Sequence, residues 1–328
     1  MKIFEIKYCP GTLKDGYKTY SPLALKRMFK AKKVSPILPY KSPAINASTS
    51  ALFTENRKRI SISGVQEKFS VLLDKNKLRL VEGKEQGEYI LKPIPNVGKK
   101  KDQMPANEHL TMQIARQVFT IETADNALVF FEDGAPAYLT KRFDIKDDGS
   151  KLAQEDFASL AERTPQTHGS DFKYLGNYLE IFELLKKYVP AYTVEAIKLF
   201  KLIVFNYIIS NGDAHFKNFS LIETPFGDFK LSPAYDLLNS RIHIEDKDFA
   251  LEEGLLPKNK TKGKIKDQFY TLAELANISS KQVAKMLHEL TTNQDQVLTL
   301  IEASYLDVKT KRAYTQAYQT RLNKLVRL

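Results

Sequence analysis

Apolar and polar residues alternate along Phe69-Ser-Val-Leu-Leu73 and Lys77-Leu-Arg-Leu-Val81, the two-residue period of half-buried strands. Asp74-Lys75-Asn76 between them predicts a hairpin turn. Glu88-Tyr-Ile-Leu-Lys92 predicts another strand, stopped by Pro93 and Pro95. From Pro105 to Phe119 the period becomes helical, with Leu110, Ile114 and Val118 four residues apart. Ala127-Leu-Val-Phe-Phe131 and Ala137-Tyr-Leu-Thr-Lys141 predict a second hairpin, turning at Glu132-Asp-Gly134.

After Phe143 the pattern is dominated by helices. Residues 154–210 read as helical in period, with Phe182, Leu185 and Val189 on one face. Leu199 to Ile209 is apolar nearly all round, as a buried helix requires. A short polar loop and a hairpin follow, Phe219-Ser-Leu-Ile222 and Asp228-Phe-Lys-Leu231, turning at Pro225-Phe-Gly227. Helical patterns resume near Leu272 and run to the end, where Tyr314, Tyr318 and Leu322 predict a packed face. Residues 1–59 are rich in proline and lysine and predict short elements and loops. The expected class is α+β: a small β-rich N-terminal lobe over residues 60–143 and a larger, mostly helical C-terminal lobe over 144–328, preceded by an extension, 1–59.

The single cysteine, Cys9, excludes an intramolecular disulfide and a zinc site built on several cysteines. The most apolar run, Leu202 to Ile209, is too short to span a bilayer, and Glu5 and Lys7 interrupt the start of the chain, so a cytoplasmic protein without a membrane partner is expected. The formal net charge of +11 is spread over Arg57–Arg59, Lys99–Lys101, Lys258–Lys266 and the tail from Lys309 to Arg327. Solvated faces are the simpler reading; attraction to a polyanion is the sharper one. No helix-turn-helix or other base-reading motif is present, so no direct sequence-specific DNA binding is expected.

The chemistry concentrates in Asn211-Gly-Asp-Ala-His-Phe-Lys-Asn218. Protein-kinase-type phosphotransferases need an Asp to accept the proton of the attacking hydroxyl, and an Asn five residues later to hold magnesium. Asp213 and Asn218 have that spacing. A predicted hairpin separates them from Ser232-Pro-Ala-Tyr-Asp236, and a second metal-holding Asp in kinases also follows a hairpin. Singly, either residue is more often a turn or cap residue; the ordered set is what points to metal-assisted phosphotransfer. His215 reads first as a loop-stabilising hydrogen bonder. Arg59 to Lys68 carries Ser61, Ser63 and Gly64, small enough for backbone amides to approach phosphate. Lys92, at a strand end, is either a phosphate-binding point charge or a solvated lysine, with Glu108 on the next helix as its candidate partner. Thr140-Lys-Arg-Phe-Asp144 falls where the lobes should join, as a plain strand end or as a hinge meeting an adenine edge beside Phe143.

Taken in order, SISGVQEK (61–68), YILKP (89–93), NEHLTMQIAR (107–116), YLTKRFD (138–144), QEDFASL (154–160), the 211–218 loop and SPAYDLLNS (232–240) resemble the HipA family of Ser/Thr kinase toxins. The resemblance implies a bilobal protein-kinase-like fold that uses ATP and Mg2+, autophosphorylates on a phosphate-loop serine and blocks translation by phosphorylating an aminoacyl-tRNA synthetase. Carried onto this chain, Asp213 would accept the proton, and Asn218 and Asp236 would hold magnesium. Lys92 would contact the ATP phosphates. Ser63, Gly64, Val65, Gln66, Glu67 and Lys68 would cover the nucleotide, Lys141, Arg142 and Phe143 would meet the adenine, and His215 and Tyr235 would line the same site. Ser61 and Ser63 would be the autophosphorylation sites. With only about 60 residues upstream of the phosphate loop, the chain most resembles the short HipT-type kinases, in which a separate small HipS-like protein supplies the missing part beside a HipB-like DNA-binding antitoxin. Cys9-Pro-Gly-Thr-Leu and Tyr20-Ser-Pro-Leu-Ala resemble remnants of a Cys-rich knuckle found in some short relatives, and no zinc is expected. The reading from a different class is a non-catalytic kinase-like module acting through antitoxin or nucleic acid contact; a kinase of small molecules would carry the same motifs.

Overall fold

The computed structural model describes residues 5–43, 67–96, 98–245 and 247–326. The chain divides into two compact units. One comprises residues 1–113, 124–149 and 299–311; the other comprises 114–123, 150–298 and 312–328.

The first unit is built on a five-stranded antiparallel sheet of order β2-β1-β3-β5-β4. The strands are β1 (Phe69–Asp74), β2 (Lys77–Leu80), β3 (Tyr89–Pro93), β4 (Asn126–Phe130) and β5 (Pro136–Lys141). Alternation shows directly in β2, where Leu78 and Leu80 are buried and Lys77 is exposed. The β4 strand is buried along its whole length, which explains why it reads as an unbroken apolar run. Residues near the N-terminus supply its outer cover. Leu128 N donates to the Pro10 carbonyl and Phe130 N to that of Pro36, both at 2.8 Å. A sheet edge that would otherwise offer bare backbone groups is thereby closed.

The helix Pro22–Phe29 belongs to the same core. Ser21 caps it, Pro22 fills its first turn, and Ala24, Met28 and Phe29 are buried with Phe69, Tyr89, Leu91, Val129 and Leu139. Cys9 is fully buried here. Its Sγ accepts from Gly11 N at 3.4 Å and Ser21 N at 3.1 Å and donates to Ser21 Oγ at 3.3 Å.

The second unit is mostly helical: Tyr178–Tyr188, Tyr192–Ile208, Ile265–Leu275, Ser280–Thr292 and parts of Gln294–Ala303 and Val308–Val326. Asn177 starts the first of these with a capping box to Glu180. The Tyr192–Ile208 helix is buried around most of its circumference, as its composition requires. Tyr314, Tyr318 and Leu322 are buried, so the aromatic stripe of the tail is a packed face. Arg321 departs from the solvated reading of that basic tail. It is 1% exposed, ion-paired with Asp248, its guanidinium 5.1 Å from the Tyr207 ring centroid.

A three-stranded sheet of order β6-β7-β8 completes the unit, with β6 at Gln154–Asp156, β7 at Ser220–Glu223 and β8 at Phe229–Leu231. The last two are the predicted hairpin. The first corrects the helical reading of residues 154–210: these three residues are extended because β7 offers them an antiparallel edge, Glu155 opposite Leu221. The final helical region also begins earlier than its apolar period suggests, at Ile265 instead of Leu272. No helix among the described residues is long and apolar enough to cross a membrane.

Candidate active site

The Tyr192–Ile208 helix ends at a backbone reversal, with Ser210 in the left-handed region at φ 59°. The loop that follows is held by side chains on every side. Asn211 Nδ2 donates to Asn206 Oδ1 at 2.9 Å, Gly212 N to Ser240 Oγ at 2.8 Å, and Ser240 Oγ to the Ser210 carbonyl at 3.1 Å. The Tyr178 hydroxyl donates to the Ala214 carbonyl at 2.7 Å. A loop so tied fixes the backbone at Asp213, which is half-buried.

Asn218 closes the same turn. Its N donates to the His215 carbonyl at 2.9 Å, and its Oδ1 accepts from His215 N at 3.1 Å. Its Nδ2 lies 3.4 Å from Asp236 Oδ2, so the hairpin brings the two predicted magnesium holders side by side. Asp236 has φ 55°, a conformation that Asp adopts more readily than most residues and that is common at functional sites. The Tyr235 hydroxyl donates to the Lys217 carbonyl at 3.0 Å, binding the two loops together. Lys217 Nζ is paired with Asp156 at 2.8 Å.

His215 is buried, and its ring is held neutral. Burial first, then the charge of Lys173, pushes its pKa from 6.5 down to about 3, against the opposing pull of Asp236. At neutral pH the loop therefore has one carboxylate, Asp213, suited to accept a proton, beside an uncharged imidazole. Sequence reasoning missed a further group at this carboxylate. The Tyr174 hydroxyl donates to Asp213 Oδ1 at 2.7 Å from a 3-10 turn, Phe172–Tyr174, 39 residues earlier. No spacing or motif points to it.

Asn218 carries an amide oxygen and Asp236 a carboxylate, the ligand types of a hard divalent cation; here the amide nitrogen faces Asp236 and the amide oxygen accepts from His215 N. Among the described residues no group of three or more His, Cys, Asp or Glu side chains is placed to hold a metal by itself.

In the β-rich unit, β3 stands between β1 and β5, with Lys92 opposite Tyr138. Lys92 Nζ lies 2.7 Å from Glu108 Oε1 and 5.4 Å from the Tyr138 ring centroid. The two charged side chains are 5% and 4% exposed. The reading of Lys92 as a solvated strand-end lysine is thus excluded, and Glu108 is its partner. Lys141 ends β5, its N donating to the Asp125 carbonyl at 2.7 Å. Arg142 N donates to the Glu88 carbonyl at 2.8 Å, its guanidinium pairs with Asp144, and Phe143 is half-buried. Glu67 accepts from Asn96 Nδ2 at 3.2 Å, and Lys68 is half-buried. Ser61, Ser63, Gly64, Val65 and Gln66 lie outside the described residues.

Comparison with known proteins agrees with this architecture. A Sinorhizobium fredii protein named "Putative kinase Y4dM" is 32% identical over 249 residues, covering 71% of this chain and 58% of its own length. A Haemophilus influenzae protein named "Putative kinase" is 25% identical over 245 residues, covering 73% of this chain and 68% of its own length. This chain thus spans less than two thirds of the first of these relatives. Among solved structures, HipA from the Shewanella oneidensis toxin-antitoxin complex of HipA, HipB and operator DNA superposes with TM-score 0.58 at 20% identity, over 80% of this chain and 63% of that one. The Helicobacter pylori proinflammatory kinase CtkA superposes with TM-score 0.53 at 14% identity, over 77% of this chain and 92% of that one. At such identities the likeness is one of fold: a mixed, kinase-like architecture with a β-rich and a helical part. The family model described as the HipA-like C-terminal domain matches residues 60–298, well over half of the sequence, and the chain belongs to that family.

Proposed function

We propose that this chain is an ATP- and Mg2+-dependent protein kinase of serine and threonine hydroxyls, the toxin of a HipBST-like toxin-antitoxin system. The observation that carries the proposal is the grouping, within one unit, of Asp213 on a clamped loop with Asn218 and Asp236 in contact. A binding module has no need of that set. Asp213 would take the proton of the acceptor hydroxyl as its oxygen bonds the γ-phosphorus of ATP and the bond from that phosphorus to the bridging oxygen breaks, releasing ADP. Bound magnesium would neutralise charge on the ATP phosphates, held by Asn218 and Asp236. Lys92, paired with Glu108, would contact the ATP phosphates; Lys141 to Phe143 would meet the adenine, and His215 and Tyr235 would line the nucleotide site.

On this reading the autophosphorylation site is Ser61, just before the segment 63–68 assigned to the nucleotide, or Ser63, the first residue within it. A phosphate there brings about −1.5 to −2 charge next to the ATP phosphates and opposes nucleotide binding. An aminoacyl-tRNA synthetase is the proposed protein substrate, by resemblance to the family. A HipB-like antitoxin and a HipS-like small protein are the proposed partners; the HipA structure noted above is a complex with HipB and operator DNA, which supports the first of these. The test is incubation of the wild type and Asp213→Ala with Mg-ATP, followed by intact mass and phosphopeptide mapping. Phosphate on Ser61 or Ser63 in the wild type alone is the expected result. No phosphate and no nucleotide binding in the wild type would favour the binding-module reading.

A further inference from the structure

A carboxylate that accepts a proton in a transition state has two requirements: it must be ionised beforehand, and it must be held in one rotamer. The 211–218 loop fixes the backbone of Asp213, but a backbone clamp leaves the side-chain rotamer to its neighbours. One of these is Tyr174, whose hydroxyl donates to Asp213 Oδ1 at 2.7 Å, the length of a charge-assisted O–H···O bond.

Tyr174 is itself firmly placed. Its N donates to the Asp171 carbonyl at 2.8 Å, and its own carbonyl accepts from Glu252 N at 2.9 Å. Its ring meets His215 edge to face, with centroids 5.0 Å apart and planes at 73°. Lys173 Nζ lies 5.0 Å from the same ring's centroid. Two residues on, Gly176 has φ 84°, and a Cβ there would stand 2.3 Å from Glu180 Oε1. That carboxylate is the capping-box group that starts the next helix. The segment 171–177 is therefore tied at its middle and C-terminal end and delivers one phenol to one carboxylate, all within the helical unit.

We infer that Tyr174 is a positioning residue for phosphotransfer: its hydroxyl holds the Asp213 carboxylate in its working rotamer. The inference rests on the kinase reading of Asp213. It assigns Tyr174 no contact with nucleotide or acceptor, so its removal lowers the maximum rate without changing how ATP is bound.

The test compares wild type with Tyr174→Phe, which keeps the ring and its packing. Phosphate incorporation into the full chain is followed by intact mass over a range of Mg-ATP concentrations, below the thermal midpoint of both proteins. The expected result is a fall of about 10- to 100-fold in maximum rate, the scale of one hydrogen bond to a charged group. The half-saturating ATP concentration should change less than about twofold, because the nucleotide contacts are untouched. A maximum rate within about twofold of wild type overturns the inference while leaving the kinase reading intact. A faster Tyr174→Phe enzyme also overturns it, since the phenol would then be an obstruction. So does phosphate mapped to Tyr174 in the wild type, since the phenol would then be an acceptor. A wild type that incorporates no phosphate overturns both readings.

Discussion

Glu108→Ala is the perturbation whose size the structure sets most directly. The Lys92 and Glu108 side chains are 5% and 4% exposed and 2.7 Å apart. Removing the carboxylate takes the ion partner of a buried ammonium and leaves the face of the Tyr138 ring, 5.4 Å away, as a weaker electrostatic neighbour. Breaking a buried pair from one side costs about 3–5 kcal/mol, because the remaining charge is stranded. Replacing both partners by apolar residues of similar volume, Lys92→Met with Glu108→Leu, should cost about 1 kcal/mol or less, because neither charge then needs solvation. At about 2–4 °C per kcal/mol, Glu108→Ala should melt roughly 6–20 °C below wild type. The assay is thermal and urea unfolding of wild type, both single variants and the double variant. A Glu108→Ala protein within about 1 kcal/mol of wild type would refute the reasoning, as would a double variant less stable than Glu108→Ala. The double variant should fold and fail to bind ATP, which separates the pair's structural role from its proposed function.

Acid should destabilise the protein through two of its buried histidines: His109 and His215 both have pKa values lowered from 6.5 to about 3, chiefly by burial. The unfolded chain takes up these protons near pH 6.5 and the folded chain only near 3, so stability is complete above 6.5 and declines below it by up to about 1.4 kcal/mol per pH unit per histidine. Urea titrations at pH 7 and pH 5 check this, and His109→Gln should flatten the slope. Asp236→Ala should abolish phosphotransfer or raise the magnesium requirement at least about tenfold with the fold intact, read by circular dichroism beside a magnesium titration. Gly176→Ala should lose about 1–2 kcal/mol in urea unfolding, since φ 84° disfavours any Cβ and Glu180 is already in place. Cys9→Ala strands two buried N–H donors, those of Gly11 and Ser21, and should lose about 2–4 kcal/mol by the same measurement.

The parts of the fold legible in the sequence are those whose signal is local. Strands β1 to β5 alternate or run apolar and end at turns, and the Tyr192–Ile208 helix is apolar on almost every face. The Lys92–Glu108 pair was within reach because a strand end and the following helix leave few alternatives. That Asn218 and Asp236 meet beside the loop of Asp213 was legible because their spacing and order along the chain carry the pattern. Strand β6 was not, because Gln154-Glu155-Asp156 has no apolar pattern; its conformation comes from the β7 edge beside it. The Pro22–Phe29 helix had a readable start in Ser21-Pro22, but its single buried face over eight residues makes a weak period. Arg321 reads as one more charge of a basic tail, yet packing against Tyr207 and Asp248 buries it. Tyr174 had no signal at all, because only the folded loop brings its hydroxyl to Asp213.

The central claim is that Asp213, Asn218 and Asp236 form a phosphotransfer site. It is tested most directly by transfer of a radiolabelled γ-phosphate from Mg-ATP to protein, comparing wild type with Asp213→Ala and Asp236→Ala of matched thermal midpoint. Label on wild type, falling at least about a hundredfold in both variants, is the predicted result. Equal label on all three proteins, or none on wild type with ATP and magnesium saturating, would contradict the account.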